Sequence, residues 1–164
     1  MALAIRDTIF LRAFSFIKIP LLYASGVTVV SLDAESCVIR LPFKRINKNH
    51  LDSMYFGALC IGADVAGGLI AAKLLRSLKG AKGSLIFKDF QARFLKRPEG
   101  DTFFTCREGL KIAEAVEKSR QTGERVDLPV PVVATVPSVS GEEPVAEFVL
   151  TLSLKVKRGG SNGI

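Results

Sequence analysis

The stretch that most constrains this chain runs from Asn47 to Lys73, NKNHLDSMYFGALCIGADVAGGLIAAK. It opens on polar residues, carries glycines at 57, 62, 67 and 68, and from Met54 onward holds one charge before Lys73, that of Asp64. An amphipathic surface helix would show a polar stripe every three or four residues; this one does not, so it is expected to be buried on most of its surface. Each glycine costs a helix roughly 0.8–1 kcal/mol relative to alanine. Close approach of other backbone offsets such a cost, here a sheet wrapped around the helix. An ionised carboxylate within an apolar run is expensive without partners. Asp64 is therefore the first functional candidate; the alternative is a structural carboxylate that bonds nearby backbone or a dimer mate.

The flanking segments supply the sheet. Asp7 to Ile17 has helical spacing of Ile9, Phe10, Ala13, Phe14 and Ile17, stopped by Pro20. It reads as a helix laid on the core, with a membrane-surface helix as the alternative. Gly26 to Asp33 and Cys37 to Phe43 look like a hairpin. Asp52 or Ser53 is placed to cap the central helix. Ser84 to Arg97 is a long strand candidate with Ile86, Phe90, Ala92 and Phe94 on one face. Across the turn Pro98-Glu99-Gly100-Asp101 it is expected to form a second hairpin with Thr102 to Arg107. Gly109 to Gln121 reads as a helix ended by Gly123. Pro129 and Pro131 make Val126 to Val136 an irregular or edge strand. From Ala146 to Lys157 the alternation is clean, with Phe148, Leu150, Leu152, Leu154 and Val156 inward. One apolar helix against one antiparallel sheet is an α+β layer arrangement. A single domain over residues 1–158 and a flexible tail over 159–164 are expected.

The net charge of +7 favours anionic partners. The basic residues are scattered and no nucleic-acid motif accompanies them, so nucleic acid is not expected. Three widely spaced cysteines, Cys37, Cys60 and Cys106, without a C-x-x-C point to buried thiols in a reduced, cytoplasmic compartment rather than to disulfides or zinc. One histidine, His50, makes no metal site by itself. No cleavable signal is expected, because Arg6, Asp7, Arg12 and Lys18 interrupt the N-terminal apolar residues. Met54 to Ala72 is nearly long enough to span a bilayer. The central Asp64 and the strand-rich remainder argue against stable insertion.

The element order and the central stretch resemble the hotdog fold, in which an antiparallel sheet curls around a long central helix. They are most similar to the thioesterase branch containing the phenylacetyl-CoA thioesterases and its uncharacterised relatives. That branch carries histidine-glycine-glycine at the helix start, an aliphatic run, then alanine-aspartate. The corresponding residues are Tyr55-Phe56-Gly57, Ala58 to Gly62, and Ala63-Asp64; the second glycine and the acid match, and the histidine and first glycine do not. Asn49-His50 matches an asparagine-histidine pair of the uncharacterised relatives.

The resemblance implies an acyl-CoA thioesterase-like protein with no resident cofactor or metal, coenzyme A thioester being substrate or ligand. It implies Asp64 as nucleophile or general base, the Gly57 N–H as oxyanion donor and Asn49 beside them. His50, Tyr55 and Phe56 would border the substrate. Arg93, with Lys96 and Arg97, would be a candidate for the coenzyme A phosphates. The site would be completed in a homodimer, itself able to pair into a dimer of dimers. The missing histidine favours a second possibility on the same fold, a non-catalytic binder of fatty acyl chains or acyl-CoA. A dehydratase would need a histidine–carboxylate pair, and the spacing of His50 and Asp64 does not suit one.

Overall fold

A computed structural model describes residues 4–78 and 80–158; the tail expected over 159–164 lies outside them. The chain begins with two helices, α1 (Ile5–Lys18) and α2 (Pro20–Ser25). Pro20 does end the first helix, and it also begins the second, where its missing N–H has no bond to lose. β1 (Thr28–Leu32) and β2 (Cys37–Leu41) follow, then the central helix α3 (Phe56–Ser77) and the long strand β3 (Ala81–Phe94). β4 (Thr102–Cys106), α4 (Gly109–Thr122), β5 (Arg125–Thr135), the single turn α5 (Pro137–Ser140) and β6 (Pro144–Arg158) complete the chain.

The strands form one antiparallel six-stranded sheet in the order β1-β2-β4-β5-β6-β3. α3 touches β2 through β6, so the sheet curls around it, while α4 lies against β5 and β6 and beside α3. This is the hotdog arrangement. By length and composition α3 could cross a membrane, yet in this fold most of it is packed inside the protein.

The glycines of α3 set how closely the sheet can wrap. A Cβ at Gly62 would lie 2.2 Å from the ring of Phe104, a fully buried residue of β4. Phe104 in turn packs on Phe148 of β6 at 6.2 Å between ring centres. Gly67 is different, since its Cβ would meet Leu150 and Val132 at an ordinary 3.5 Å.

Four local expectations are corrected. The first is the helix start: α3 begins at Phe56 after Tyr55, with no side-chain cap. Ser53 is instead hydrogen-bonded to Asn49, and Asp52 sits at φ 54° in the connecting turn. The second is pairing: β3 and β4 are not a hairpin, because β3 runs along β6 at one edge and β4 lies between β2 and β5. The third is facing. A bulge between Phe87 and Asp89 inserts Lys88 and switches the alternation. Leu85 and Phe87 therefore share the inner face with Phe90 and Phe94, and Ile86 pairs with Ser153 on the other. The fourth is β5, which is an interior strand. Its β4 partner reaches only Val132–Thr135, so Pro129 and Pro131 lie where β5 has β6 as its one neighbour.

At the β1 edge, the Thr8 hydroxyl accepts from Val29 N–H at 2.9 Å and donates to its carbonyl at 3.2 Å, which ties α1 to the strand.

Gly62→Ala should destabilise the fold by about 1–3 kcal/mol despite better helix propensity, because Phe104 has nowhere to go. Gly67→Ala should instead stabilise it by up to about 1 kcal/mol. Urea unfolding of the two variants measures the contrast, and equal shifts would refute this account of the helix notch.

Candidate functional site

One face of α3 is left by the sheet for the N-terminal helices. Gly57, Ile61, Asp64, Val65, Gly68, Ala72 and Arg76 recur at helical spacing and line two hollows on that face. The hollow at the helix start, about 370 Å³, is bordered by Leu21, Ala24, Asn47, Tyr55 and Gly57. The one further along, about 310 Å³, contains Asp64 and is walled by Phe10, Leu11, Phe14, Leu22, Leu85 and Phe87. α2 contributes to both.

Asp64 and Arg76 are the two charged residues of an otherwise apolar hollow, and the Arg76 guanidinium is stacked over the Phe10 ring at 3.9 Å. Among the described residues no donor bonds the Asp64 carboxylate and no cation pairs with it. Burial alone pushes its pKa up to about 6, because the ionised form loses water without gaining a partner.

The helix start is shaped by two asparagines. Asn47 is buried; its Nδ2 donates to the Ser25 and Pro42 carbonyls, each at 2.8 Å, and its own carbonyl accepts from Tyr55 N–H at 2.7 Å. Asn49 Oδ1 accepts from the N–H groups of Leu51 at 2.9 Å and Ser53 at 3.2 Å. The side chain of Asn49 is thus engaged in its own turn, and His50 is exposed in that turn. Neither lines the Asp64 cavity. From Tyr55 the chain enters α3, and the N–H groups of Ala58 and Leu59 bond the Tyr55 carbonyl. Among the described residues nothing accepts a hydrogen bond from the N–H of Phe56 or Gly57. They are the unpaired donors of a helix N-terminus, where the helix dipole is positive.

Tyr55 folds over this start, its ring so close that a Cβ at Gly57 would meet it at 2.5 Å. Phe56 is exposed and joins Tyr55 to Phe94 of β3 through ring contacts at 4.9 and 6.5 Å. Gly57 and Asp64 share a helix face but stand about 10 Å apart along its axis. Arg93 lies on exposed β3 and pairs with Glu147 at 3.4 Å; Lys96 pairs with Glu143 and Arg97 with Glu99. Among the described residues no three His, Cys, Asp or Glu side chains converge as a metal site would require.

The cavity walls from α1 and α2 were not identified as site residues in the sequence. Their signal was present: apolar residues at Phe10, Leu11 and Phe14 accompany others at Ile5, Ile9 and Phe16, so α1 is apolar on more than one face.

The family model described as Domain of unknown function (DUF4442) matches residues 6–154. The sequence matches no curated protein. Among solved structures, the chain is similar to a Pseudomonas aeruginosa protein of unknown function described as "Probable Thioesterase". The two are 25% identical over 90% of this chain and 95% of that one, with a TM-score of 0.72. A Chlorobaculum tepidum protein of unknown function superposes with a TM-score of 0.77 at 12% identity, covering 93% and 96%. A thioesterase family protein from Silicibacter pomeroyi does so with a TM-score of 0.65 at 18% identity, covering 89% and 96%. The last two likenesses concern the fold.

The Asp64 environment carries a stability consequence with a definite sign. Its folded pKa, about 6, lies above the ordinary carboxylate value of 3.8, so the folded state holds its proton more tightly than the unfolded one. Stability should therefore fall as pH rises from about 4 to about 6 and stay level above. Asp64→Asn should remove that slope and stabilise the protein at pH 7 by on the order of 2–3 kcal/mol. Urea midpoints measured across pH check this; an unchanged slope in the variant would refute it.

Proposed function

The chain belongs to the DUF4442 family, and we propose that it is a thioesterase-like protein that hydrolyses an acyl-CoA thioester. The observation that carries this is the unpartnered Asp64 carboxylate in an apolar cavity, with a pKa of about 6. A base works best when its pKa lies near the working pH. Ionised Asp64 would take a proton from a water whose oxygen bonds to the thioester carbonyl carbon. The C–S bond then breaks and the thiolate of coenzyme A leaves, to be protonated as free thiol. Direct attack by the carboxylate is the other route open to the same group. The Phe56 and Gly57 N–H groups suit the developing oxyanion, a contribution typically of about 3–4 kcal/mol per donor. The description of the similar Pseudomonas aeruginosa protein as a probable thioesterase supports the reaction class.

The apolar walls of the Asp64 hollow suit an acyl group, and at about 310 Å³ the hollow leaves the nucleotide part of coenzyme A outside. Arg93, Lys96 and Arg97 are the cations we assign to its phosphates. Their present partners are surface carboxylates, and exposed pairs of that kind are worth at most about 1 kcal/mol, so an anion can displace them. Tyr55 and Phe56 flank the thioester position in this scheme. Asn49 positions the turn that leads to it, with His50 at the rim.

One carbonyl cannot meet two groups about 10 Å apart. The scheme therefore needs a second copy of the chain, which brings its own α3 alongside. β3 supports such a homodimer: it is a 14-residue edge strand with its outer backbone unpaired and Ile86 and Phe94 exposed. Free thiols at Cys37, Cys60 and Cys106 fit a reducing, cytoplasmic setting. The Tyr55 ring crowds the Gly57 Cα, which favours a second possibility, an acyl-CoA binder without turnover, because a ring there narrows the approach to the helix start.

Thiol release from short, long and aromatic acyl-CoA substrates tests the proposal. Wild type should turn over at least one, with kcat/KM rising with pH through about 6. Asp64→Ala should lose about 10²–10⁴-fold of that rate. An Asp64→Asn protein as fast as wild type would sink the hydrolase scheme. Saturable acyl-CoA binding with no turnover in either protein would select the binder.

A further inference from the structure

Among the described residues the outward faces of α1 and α2 touch little beyond each other, where the Phe16 ring meets that of Tyr23 at 5.1 Å. Ile5, Ile9, Phe16, Ile17 and Leu21 are between 63% and 73% exposed. At 100° per residue, Ile5, Ile9 and Phe16 fall within a sector of about 40° on α1. The opposite side of the same helix is apolar as well, where Leu11 is buried and Phe10 and Phe14 wall the Asp64 cavity. A helix that is apolar on both sides needs cover on both.

Charge says what kind of cover. Arg6 and Lys18 are exposed on α1, and Arg12 lies over the Tyr23 ring at 4.7 Å. Lys44 and Arg45 are exposed at the start of the short turn that packs on α2. The single acid on these two helices, Asp7, is engaged by Lys73 at 3.1 Å. On α1 the apolar stripe is thus flanked by Arg6 and Arg12, with Lys18 at the helix end, and the free charges of the two helices are of one sign. Two copies joined about a two-fold axis through this face would set these cations against each other, which is unfavourable. An anionic lipid surface complements both features, taking the apolar side chains at the acyl boundary and the cations at the headgroups.

We propose that α1 and α2 dock the protein on an anionic membrane surface, lying in the interface rather than across it. Their inner faces roof the Asp64 cavity, so docking holds the cavity beside a source of acyl amphiphiles. The docking does not depend on whether Asp64 hydrolyses anything.

The full chain is sedimented with phosphatidylcholine vesicles and with vesicles of equal parts phosphatidylcholine and phosphatidylglycerol. It should bind the second, bind the first weakly, and lose binding as salt rises. Ile9→Asp combined with Phe16→Asp should lower binding more than about tenfold. Arg6→Gln combined with Lys18→Gln should lower it about fivefold per charge. All four sites are exposed, but Phe16→Asp also gives up the ring contact with Tyr23, so the Arg6→Gln, Lys18→Gln pair is the one whose unfolding temperature should not move. The chain has no tryptophan, so Phe16→Trp adds a single reporter whose emission should shift blue on adding the anionic vesicles. Wild type that ignores anionic vesicles overturns the proposal. So does vesicle binding by the Phe16→Trp protein that leaves its indole emission unshifted. Dissociation of a lipid-free oligomer by the aspartate pair, with no vesicle binding, would show instead that copies of the chain cover this face.

Discussion

The structure depends on burying α3. Twenty-two residues without a polar stripe are poorly suited to water, and the sheet covers them by curling. The approach is close because glycine permits it: Phe104 occupies the space a Cβ at Gly62 would need, and Leu75 does the same against Gly83 of β3. Phe104 meets Phe148, which is also touched by Phe90 and Phe94, so the helix notch is connected to both the middle and the edge of the sheet. Helix propensity is surrendered at the glycines, and tight packing between helix and sheet more than offsets it.

The same burial underlies the chemistry we propose. Asp64 sits on the face of α3 that the sheet leaves to α1 and α2, where apolar side chains displace water and, among the described residues, no donor bonds its carboxylate. An architecture built for stability alone would place an apolar residue there. A carboxylate kept there titrates near neutrality, which suits proton transfer. Unpaired N–H groups stand two turns earlier on the same face. The site is therefore a property of one helix and its cover, and the sheet acts mainly as its mount.

Much of this was legible in the residues. The uninterrupted apolar run announced the buried helix, and the alternation from Phe148 to Val156 matches the burial of β6. Gly123, left-handed at φ 73°, ends α4 as its position suggested. Asp64 stood out as the lone charge. Other features were not legible, for reasons that can be named. Lys88 looks like any strand residue, yet as a bulge it turns Phe87 inward and Ile86 outward. Pro129 and Pro131 argue against an interior strand unless the shortness of β4 is known. Strand order is a matter of long-range partners, and the turn at Pro98–Asp101 gives no sign that β3 and β4 part company there.

By itself, then, the sequence determined the elements whose causes are local: a helix too apolar to be exposed, strands with period-two alternation, glycine stops, and an acid out of place. Local periodicity encodes which face of an element is apolar, and that is enough to demand a helix wrapped by a sheet. Only the tertiary structure decided what meets that helix. It put α1 and α2 over Asp64, set the Asn47 and Asn49 turn at the helix start, and left β3 and the outer stripe of α1 uncovered. Those outcomes depend on contacts between residues far apart in the chain. Hydrophobic burial drives such contacts without direction, so their partners follow from shape and closure of the whole fold rather than from any one segment.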